Sequence, residues 1–354
     1  MRVSDFDFEL PERLIAQEAA PRGTSRLLVL DRAAVRVEHR SVADLPQWLS
    51  RGDLLLLNDT RVFPARLLGH RAPSGGAVEC LLIRRDERVA VSAGEAYWEA
   101  LMHPGQKLKP GARIVFESGA GRLDAEVLER RFYGRRLVRI WSDGGQDVDA
   151  LIDALGHVPL PPYIRRADRP DDRERYQTVF AQTRGSVAAP TAGLHFTEEI
   201  LSAIDARGVE RLAITLHVGY GTFKPVRTDI VEEHQVDPEH YEISQHVASA
   251  LNRALVARRR IVVVGTTTTR ALEHAIRAGN GTIKQGPATA DEFIYPGFEF
   301  RVVGALMTNF HLPKSSLLML VSAFAGRERV LEAYQEAVER EYRFYSYGDA
   351  MLIV

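Results

Sequence analysis

The second half of the chain alternates short apolar runs with amphipathic helical patterns, and this alternation limits the possible folds more than any other feature. Strand-like runs are ERLAITLHV (210–218) and RIVVVG (260–265), and helical patterns are SQHVASALNRALVARR (244–259), TTRALEHAIRAG (268–279) and SSLLMLVSAFAG (315–326). Such alternation is typical of an α/β layer arrangement. We predict an α/β (mixed α+β) main domain that also takes in strands near residues 26–30 and 54–57.

A different pattern interrupts this domain. Short β-like runs occur at AVECLLI (77–83), YWEALM (97–102), ARIVFE (112–117) and RRLVRIWS (135–142), and turns rich in Gly and Pro separate them. Their spacing is typical of a small barrel. The sequence therefore predicts an inserted all-β barrel domain at 69–149 and a discontinuous α/β catalytic domain at 1–68 and 150–354, which agrees with two domains for 354 residues.

Composition is that of a soluble globular protein, with 45% hydrophobic and 26% charged residues. The first residues lack the apolar run of a signal peptide, and no uncharged apolar run reaches about 18 residues. The lone Cys80 excludes an internal disulfide and fits a reducing compartment. We expect a cytoplasmic protein without a membrane segment, and the oligomeric state stays open.

The formal net charge of −1 argues against a protein that coats nucleic acid through bulk attraction. Local patches of arginine beside aromatic residues remain candidates for RNA binding. The four candidate positions are Arg135, Arg136, Arg165 and Arg166. A solvated surface is the alternative for each patch.

One candidate for anion binding follows the strand at 260–264. Gly265 and four threonines lead into a helix, where the free amides of the first turn and the helix dipole favour an anion. Thr266, Thr267 and Thr268 are therefore candidate binding residues, and Arg270 is a candidate clamp on the same anion. A helix capped by threonine without any ligand is the alternative.

Two further loops follow predicted strands. The loop after His217 contains Gly219, Tyr220, Gly221 and Phe223, so that the backbone can approach a ligand and an aromatic ring can stack on a base. A plain loop explains the same residues. The polar loop before the helix at 315–326 holds Asn309 and His311, and this histidine is either a structural or a site residue.

Several enzyme classes lose their usual support. The chain has no G-x-S-x-G, H-E-x-x-H or Walker A sequence, which argues against serine hydrolases, zincins and P-loop NTPases. His234 and His240 with Glu233 and Glu239 could ligate a metal, but their spacing is not diagnostic. We expect no metal.

Several long motifs occur in a fixed order over nearly the whole chain. They are NDTRV (58–62) with PAR (64–66), GSVAAPTAGLHFT (185–197), HVGYGTF (217–223), VGTTT (264–268), TNFHLP (308–313) and YRFYSYGDAM (342–351). In this the chain resembles the S-adenosylmethionine:tRNA ribosyltransferase-isomerase family of queuosine biosynthesis. The resemblance implies an α/β domain with an inserted β-barrel.

The resemblance also implies the reaction. The family transfers and isomerises the ribosyl group of S-adenosylmethionine onto 7-aminomethyl-7-deazaguanine at the tRNA wobble position, which gives epoxyqueuosine and releases adenine and methionine. S-adenosylmethionine is thus a ribosyl-donor substrate, and tRNA carrying that base is the partner. The chemistry requires a base that removes a proton from the 5′ carbon beside the sulfonium.

The resemblance implies roles for the motif residues. Candidates for the base are His195, His217 and His311, with Asp349 or Asp59 orienting one of them, and the sequence does not rank them. Arg270 and the preceding threonines would hold the methionine carboxylate, and Tyr220 or Phe223 would stack on a base. Small residues would let the substrate lie against the backbone, and these are Ala189, Pro190, Thr191 and Gly193; a tight packing turn is the alternative.

One segment departs from the family pattern. The family usually shows His-x-Met-His-x-Glu, whereas this chain has His234-Gln-Val-Asp-Pro-Glu239, so that Val236 and Asp237 replace the Met and the second His. A tRNA-binding module that no longer catalyses is therefore one rival hypothesis. An RNA methyltransferase that uses S-adenosylmethionine is the other, although a recognisable methyltransferase glycine loop is missing.

Overall fold

The computed structural model describes residues 1–34, 36–87, 94–219, 221 and 225–354. In chain order, the strands are β1 (Arg26–Asp31), β2 (Arg36–Ser41), β3 (Leu54–Asn58), β4 (Thr60–Val62), β5 (Arg66–Ala72), β6 (Ala77–Arg85), β7 (Glu95–His103), β8 (Arg113–Ser118), β9 (Gly121–Arg130), β10 (Arg135–Trp141), β11 (Thr183–Ser186), β12 (Glu210–Leu216), β13 (Glu239–Ile243), β14 (Ile261–Val264), β15 (Gly286–Ala290), β16 (Ala305–Asn309) and β17 (Ala350–Ile353).

The α-helices are α1 (Val148–Leu155), α2 (Asp172–Arg175), α3 (Glu198–Ala206), α4 (Gln245–Val256), α5 (Thr266–Ala278), α6 (Ser316–Ala325) and α7 (Arg327–Glu339). Short 3₁₀ helices lie at Val3–Phe6, Glu12–Leu14, Val42–Trp48, Gly105–Lys107, Phe132–Gly134, Thr191–His195 and Val231–Glu233.

A nine-stranded mixed sheet organises the main domain, with strand order β15-β13-β12-β3-β14-β16-β17-β1-β2. The run β12-β3-β14-β16 is parallel, and β17 pairs antiparallel with β16 but parallel with β1. Every residue of β3, β14, β16 and β17 is buried. The apolar runs of β14 and β17, and of β3 up to Leu57, follow from this, since central strands covered on both faces need apolar residues at successive positions.

Helices cover both faces of this sheet. Leu54, Leu56 and Val263 point into a core with α4, α5, α6 and α7, whereas Leu55 and Val262 point into a second core with α3 and the 3₁₀ helix at Val42–Trp48. Successive side chains of a strand point to opposite faces, so one leucine run supplies both cores. The predicted α/β main domain is confirmed.

A closed six-stranded barrel, in the order β10-β7-β6-β5-β8-β9, interrupts the main domain between β4 and β11. Its core contains Cys80 and Trp98, and Leu151 and Ile152 of α1 pack into the same core. The predicted small barrel is confirmed. Its limits of 69 and 149 stay a prediction, because β5 begins at Arg66 and α1 extends to Leu155.

Within the described ranges, no helix combines the length and the apolar character needed to cross a bilayer.

Candidate active site

A cleft of about 1710 Å³ separates one side of the barrel from the main domain. The barrel wall includes Arg84, Arg85, Glu99, Arg131 and Arg135, and the opposite wall includes Arg184, Gly185, His217, Arg227, His234, Asp237, Glu239, His240 and Arg270. Cations from both domains thus face the same space. A cleft of this size accommodates a large polyanionic substrate as well as a small molecule.

A second, small cavity of about 50 Å³ adjoins the cleft. Thr266, Thr267 and Leu317 line both spaces. The remaining wall of the small cavity comes from Ala189, Pro190, Thr191, Ala192, Val218, Gly265, Thr308, Asn309, His311, Tyr345 and Ser346. Five of the sequence motifs therefore meet here, which explains why polar residues follow the apolar parts of the buried strands β14 and β16.

The N-terminus of α5 points at this meeting place. Gly265 is the N-cap at φ +94°, a left-handed conformation that favours glycine, and no side chain caps the helix. The structure therefore does not show the alternative of a helix capped by a threonine side chain. Thr268 is fully buried, and its hydroxyl oxygen has no hydrogen-bond partner among the described residues, so it lies behind the cavity wall formed by Thr266 and Thr267.

His195 is buried behind the small cavity and positions Asn309. The Nδ2 of Asn309 lies 3.2 Å from Nε2 of His195 and donates to the Tyr345 carbonyl at 3.1 Å. Burial lowers the pKa of His195 to about 4, so its imidazole is neutral near pH 7 and can accept from the amide. His195 lines neither cavity among the described residues. This favours a positioning role for His195.

His311 does line the small cavity. Its Nε2 lies 2.9 Å from Oγ1 of Thr308, and its backbone amide donates to the Tyr334 hydroxyl at 3.1 Å. Burial lowers the pKa of His311 to about 3, and the imidazole is neutral at physiological pH.

The depressed pKa of His311 predicts a pH dependence of stability. The unfolded chain binds a proton at this residue below about pH 6.5, whereas the folded chain binds it only near pH 3, so stability is lost as the pH falls through this window. We expect wild type to lose about 2 kcal/mol more than His311→Gln between pH 6.5 and 5, measured by urea unfolding. Parallel losses in both proteins would contradict this.

His217 is the predicted base candidate that faces the large cleft. Its Nδ1 lies 2.8 Å from Oγ1 of Thr60 at the start of β4. Burial lowers its pKa, and the nearby carboxylate of Asp59 acts in the opposite direction. Gly185 packs against the ring, because a Cβ at this position would lie 2.6 Å from Cε1 of His217. The first glycine of GSVAAPTAGLHFT therefore makes room for a histidine.

The two predicted orienting carboxylates have other main partners. Asp59 accepts from Thr215 at 2.7 Å. Asp349 accepts from the Arg26 and Arg343 backbone amides and from the Arg26 guanidinium, at 2.8 to 3.2 Å. No described hydrogen bond joins Asp349 to any of the three candidate histidines. The observed contacts give it a structural role, which differs from the expected orienting role.

Arg270 is part of an ion-pair network across the cleft. Its guanidinium donates to Glu239 at 2.5 Å and to the Asp237 carbonyl at 3.1 Å. Arg135 of the barrel reaches the Asp237 carboxylate at 3.1 Å and Glu99 at 3.3 Å. Arg270 is thus already committed to a carboxylate, and Asp237 of the variant segment binds an arginine from the other domain.

The remaining RNA candidates differ in accessibility. Arg136 is 5% exposed and donates to the carbonyls of Leu108, Gly134 and Gly105, which argues against the predicted contact with RNA. Arg166 pairs with the buried Asp172 at 2.6 Å, whereas Arg165 is exposed and pairs with Glu12. Of the four, Arg135 lines the cleft.

The small residues that were predicted to lie against the substrate also differ in position: some line a cavity and others pack against protein side chains. Ala189, Pro190 and Thr191 line the small cavity, but Gly193 packs against Thr178 and Phe180, where a Cβ would approach within 2.9 Å. The packing alternative therefore holds for Gly193. Gly219 and Gly221 line the cleft, and a Cβ on Gly221 would lie 2.4 Å from Asp237. Tyr220 and Phe223 lie outside the described residues.

Several cleft residues were missed from the sequence. Arg84 of the barrel lies 2.7 Å from Nε2 of His240, and Phe293 packs edge-on against His234 with ring centroids 5.1 Å apart. Exposed Arg227 also faces the cleft. The RR pair at 84–85 was a detectable signal, whereas Phe293 and Arg227 lie in ordinary loop sequence.

Within the described ranges, no group of three or more His, Cys, Asp and Glu residues is arranged to hold a metal.

Comparisons with known proteins agree over the full length. The family model described as queuosine biosynthesis protein matches residues 3–353. Relatives named S-adenosylmethionine:tRNA ribosyltransferase-isomerase from Solibacter usitatus and Heliobacterium modesticaldum are 51% and 49% identical, each with 100% of both chains covered. The crystal structure of an S-adenosylmethionine tRNA ribosyltransferase from Thermotoga maritima is 39% identical, covers 99% of this chain and 100% of its own, and has a TM-score of 0.54. The chain therefore belongs to the queuosine biosynthesis protein family.

Proposed function

We infer that this chain is an S-adenosylmethionine:tRNA ribosyltransferase-isomerase. Full-length relatives with this name, at about 50% identity, support the activity, and the cleft between barrel and sheet supplies a place for it. In finer detail, we propose that the acceptor is 7-aminomethyl-7-deazaguanine at the wobble position of tRNA. The products would be epoxyqueuosine-tRNA, adenine and methionine, formed in the cytoplasm.

Arginines on both walls of the cleft support a nucleic-acid partner. Carboxylates also line the cleft, and three of these arginines form ion pairs: Arg85 with Asp149, Arg131 with Asp86 and Arg184 with Asp153. Arg84, Arg85 and Arg131 come from the barrel, and Arg184 and Arg227 come from the main domain. Guanidinium groups bind phosphate oxygens well, and here they line two walls of one groove. The anticodon loop would therefore bind between the domains.

We propose His217 as the general base. Among the three histidines predicted from the sequence, it is the one that lines the large cleft, and its lowered pKa keeps the imidazole neutral and able to take a proton. Thr60 orients the ring through Nδ1, so Nε2 would act on substrate when Nδ1 carries the hydrogen.

The chemistry that follows is a group transfer. His217 would take the proton from the 5′ carbon, where the adjacent sulfonium stabilises the electron pair left behind. The acceptor amine would bond to C1′ as the bond to adenine breaks, and adenine would leave with that electron pair. The electron pair on the 5′ carbon would form a bond to C1′ as O4′ leaves C1′ with the electrons of its bond. O4′ would then bond to the 5′ carbon and close the epoxide, while the sulfur departs with the electrons of its bond to that carbon and gives methionine. The amine loses one proton and adenine gains one, so the proton taken by His217 accounts for the charge of the sulfonium.

The test is a product analysis. The protein is incubated with S-adenosylmethionine and tRNA carrying 7-aminomethyl-7-deazaguanine, and both nucleosides and small molecules are analysed by mass spectrometry. We expect adenine, methionine and a ribosyl-derived modified base, none of which should form with tRNA that lacks the aminomethyl group. Formation of S-adenosylhomocysteine would instead indicate a methyltransferase, and binding without adenine release would indicate a non-catalytic module.

Salt dependence tests the proposed RNA surface. Arg227 is exposed in the cleft, and no described residue forms an ion pair or hydrogen bond with its side chain. If it contacts a phosphate, Arg227→Gln should lower the slope of log affinity against log salt by about 0.7 to 0.9. Arg253, exposed on α4 and outside the described cleft wall, provides the matched Arg→Gln control. Equal slopes for all three proteins would remove Arg227 from the interface.

A further inference from the structure

The small cavity contains an unused hydrogen-bond acceptor. Asn309 is 3% exposed, and its Oδ1 has no partner among the described residues. The orientation of the amide is fixed, because the Tyr345 carbonyl can only accept and therefore requires the Nδ2 of Asn309. Tyr345 itself has φ +75°, an uncommon conformation for a non-glycine residue. The fold thus holds an acceptor ready for a ligand donor.

The same cavity contains unused donors. The backbone amides of Thr266 and Thr267 begin α5, a helix of 13 residues, and no described group accepts from them. The N-terminal end of a helix also carries a partial positive charge. Thr266 and Thr267 line the cavity, so one part of its wall favours a negative group.

The size and charge of the cavity limit the ligand. About 50 Å³ holds roughly three to five waters at ~10–15 Å³ each, which suits a small charged head and excludes a nucleobase. None of its described lining residues is Asp, Glu, Lys or Arg. A phosphate would fit the helix terminus but would meet the Asn309 oxygen as a second acceptor. A group with both a negative and a positive end satisfies both parts of the wall.

We propose that the small cavity binds the zwitterionic α-amino-acid head of S-adenosylmethionine, with its carboxylate at the α5 N-terminus and its ammonium at Oδ1 of Asn309. This inference rests on the proposed function. Thr266, Thr267 and Leu317 line both spaces, so the sulfonium and adenosine portions extend into the large cleft. The assignment replaces Arg270 as the carboxylate partner, since that guanidinium is paired with Glu239.

Three ligands distinguish the carboxylate contact from the ammonium contact. They are S-adenosylmethionine, its decarboxylated analogue, and methylthioadenosine, which lacks the amino-acid head. Binding is measured by calorimetry, with and without an unmodified tRNA. Asn309→Ala should weaken S-adenosylmethionine and the decarboxylated analogue by about 10- to 100-fold and leave methylthioadenosine unchanged, since only the first two carry the amine.

A proline substitution tests the carboxylate contact separately. Proline suits the first helical position, and Gly265 at ψ 143° suits the residue before proline, so Thr266→Pro removes one amide donor with the helix preserved. It should weaken S-adenosylmethionine about 10-fold or more without weakening the decarboxylated analogue. Thr266→Ala, which keeps the amide, is the matched control and should retain the wild-type preference for the carboxylate.

The outcomes separate the two proposals. The assignment of the head would be overturned if Asn309→Ala weakened the binding of all three ligands equally or of none. It would also be overturned if wild type bound S-adenosylmethionine no better than methylthioadenosine. If Asn309→Ala does not fold, the comparison of Thr266→Pro with Thr266→Ala tests the assignment by itself. Adenine release by wild type is measured in parallel: turnover without recognition of the head rejects only the cavity assignment, and recognition without turnover rejects only the proposed reaction.

Discussion

Replacement of His217 by asparagine is expected to lower kcat about 10²- to 10⁴-fold, the range for loss of a general base. Asparagine keeps a polar group near Thr60 but cannot take a proton from carbon. Because His217 lies on the cleft wall and outside the small cavity, the KM for S-adenosylmethionine should change little. The measurement is steady-state adenine release at saturating tRNA, with the exposed His246→Asn as control.

A second variant tests whether the position of the His217 imidazole matters when its chemistry is unchanged. Gly185→Ala leaves the imidazole intact but places a Cβ 2.6 Å from its Cε1, so the ring must move. We expect a loss of kcat with the folded stability measured alongside. Near-normal turnover in His217→Asn would transfer the role of base to another cleft residue, for which His234 is the next candidate.

Asp349→Ala is expected to destabilise the folded chain by about 2–4 kcal/mol. The carboxylate is 4% exposed, and its removal leaves the backbone amides of Arg26 and Arg343 without their acceptor. The cost is moderated because the Arg26 side chain is 42% exposed and can be hydrated. Urea unfolding measures the change directly.

The exposed Asp171 provides the control, since its side chain makes no cap hydrogen bond and Asp171→Ala should stay within about 0.5 kcal/mol of wild type. If the role of Asp349 is structural, Asp349→Ala should lower the free energy of unfolding. The fraction of the variant that stays folded should still turn over substrate. A variant with normal stability and no turnover would restore Asp349 as a residue that orients the catalytic machinery.

The fold was predictable where burial leaves a strong pattern. β3 and β14 read as uninterrupted apolar runs because both faces of these strands are covered. β9 was not among the predicted strands, since its inward residues Leu123, Ala125 and Val127 alternate with charged or polar ones and include a weakly apolar alanine. A half-covered barrel strand gives a weaker signal than a central one.

The site was predictable where it follows the ends of parallel strands. β14 and β16 are parallel neighbours, so Gly265 and Asn309, which lie at their carboxyl ends, approach one another. The barrel contribution was not predictable, because no local pattern encodes which barrel face meets the sheet. The Arg135–Arg136 pair illustrates this: neighbours on a strand point to opposite sides, so only the first reaches the cleft.

The pairing of β17 between β16 and β1 has a consequence for the order of events during synthesis. The barrel strands are complete by Trp141, so the barrel can close while the second half of the chain is still being made. The sheet, in contrast, stays open between β1 and β16 until Ala350–Ile353 has emerged from the ribosome. Tyr345 and Ser346, which complete the small cavity, arrive at the same late stage. The small cavity therefore forms only once β17 has joined the sheet, whereas the barrel needs no residue of β17.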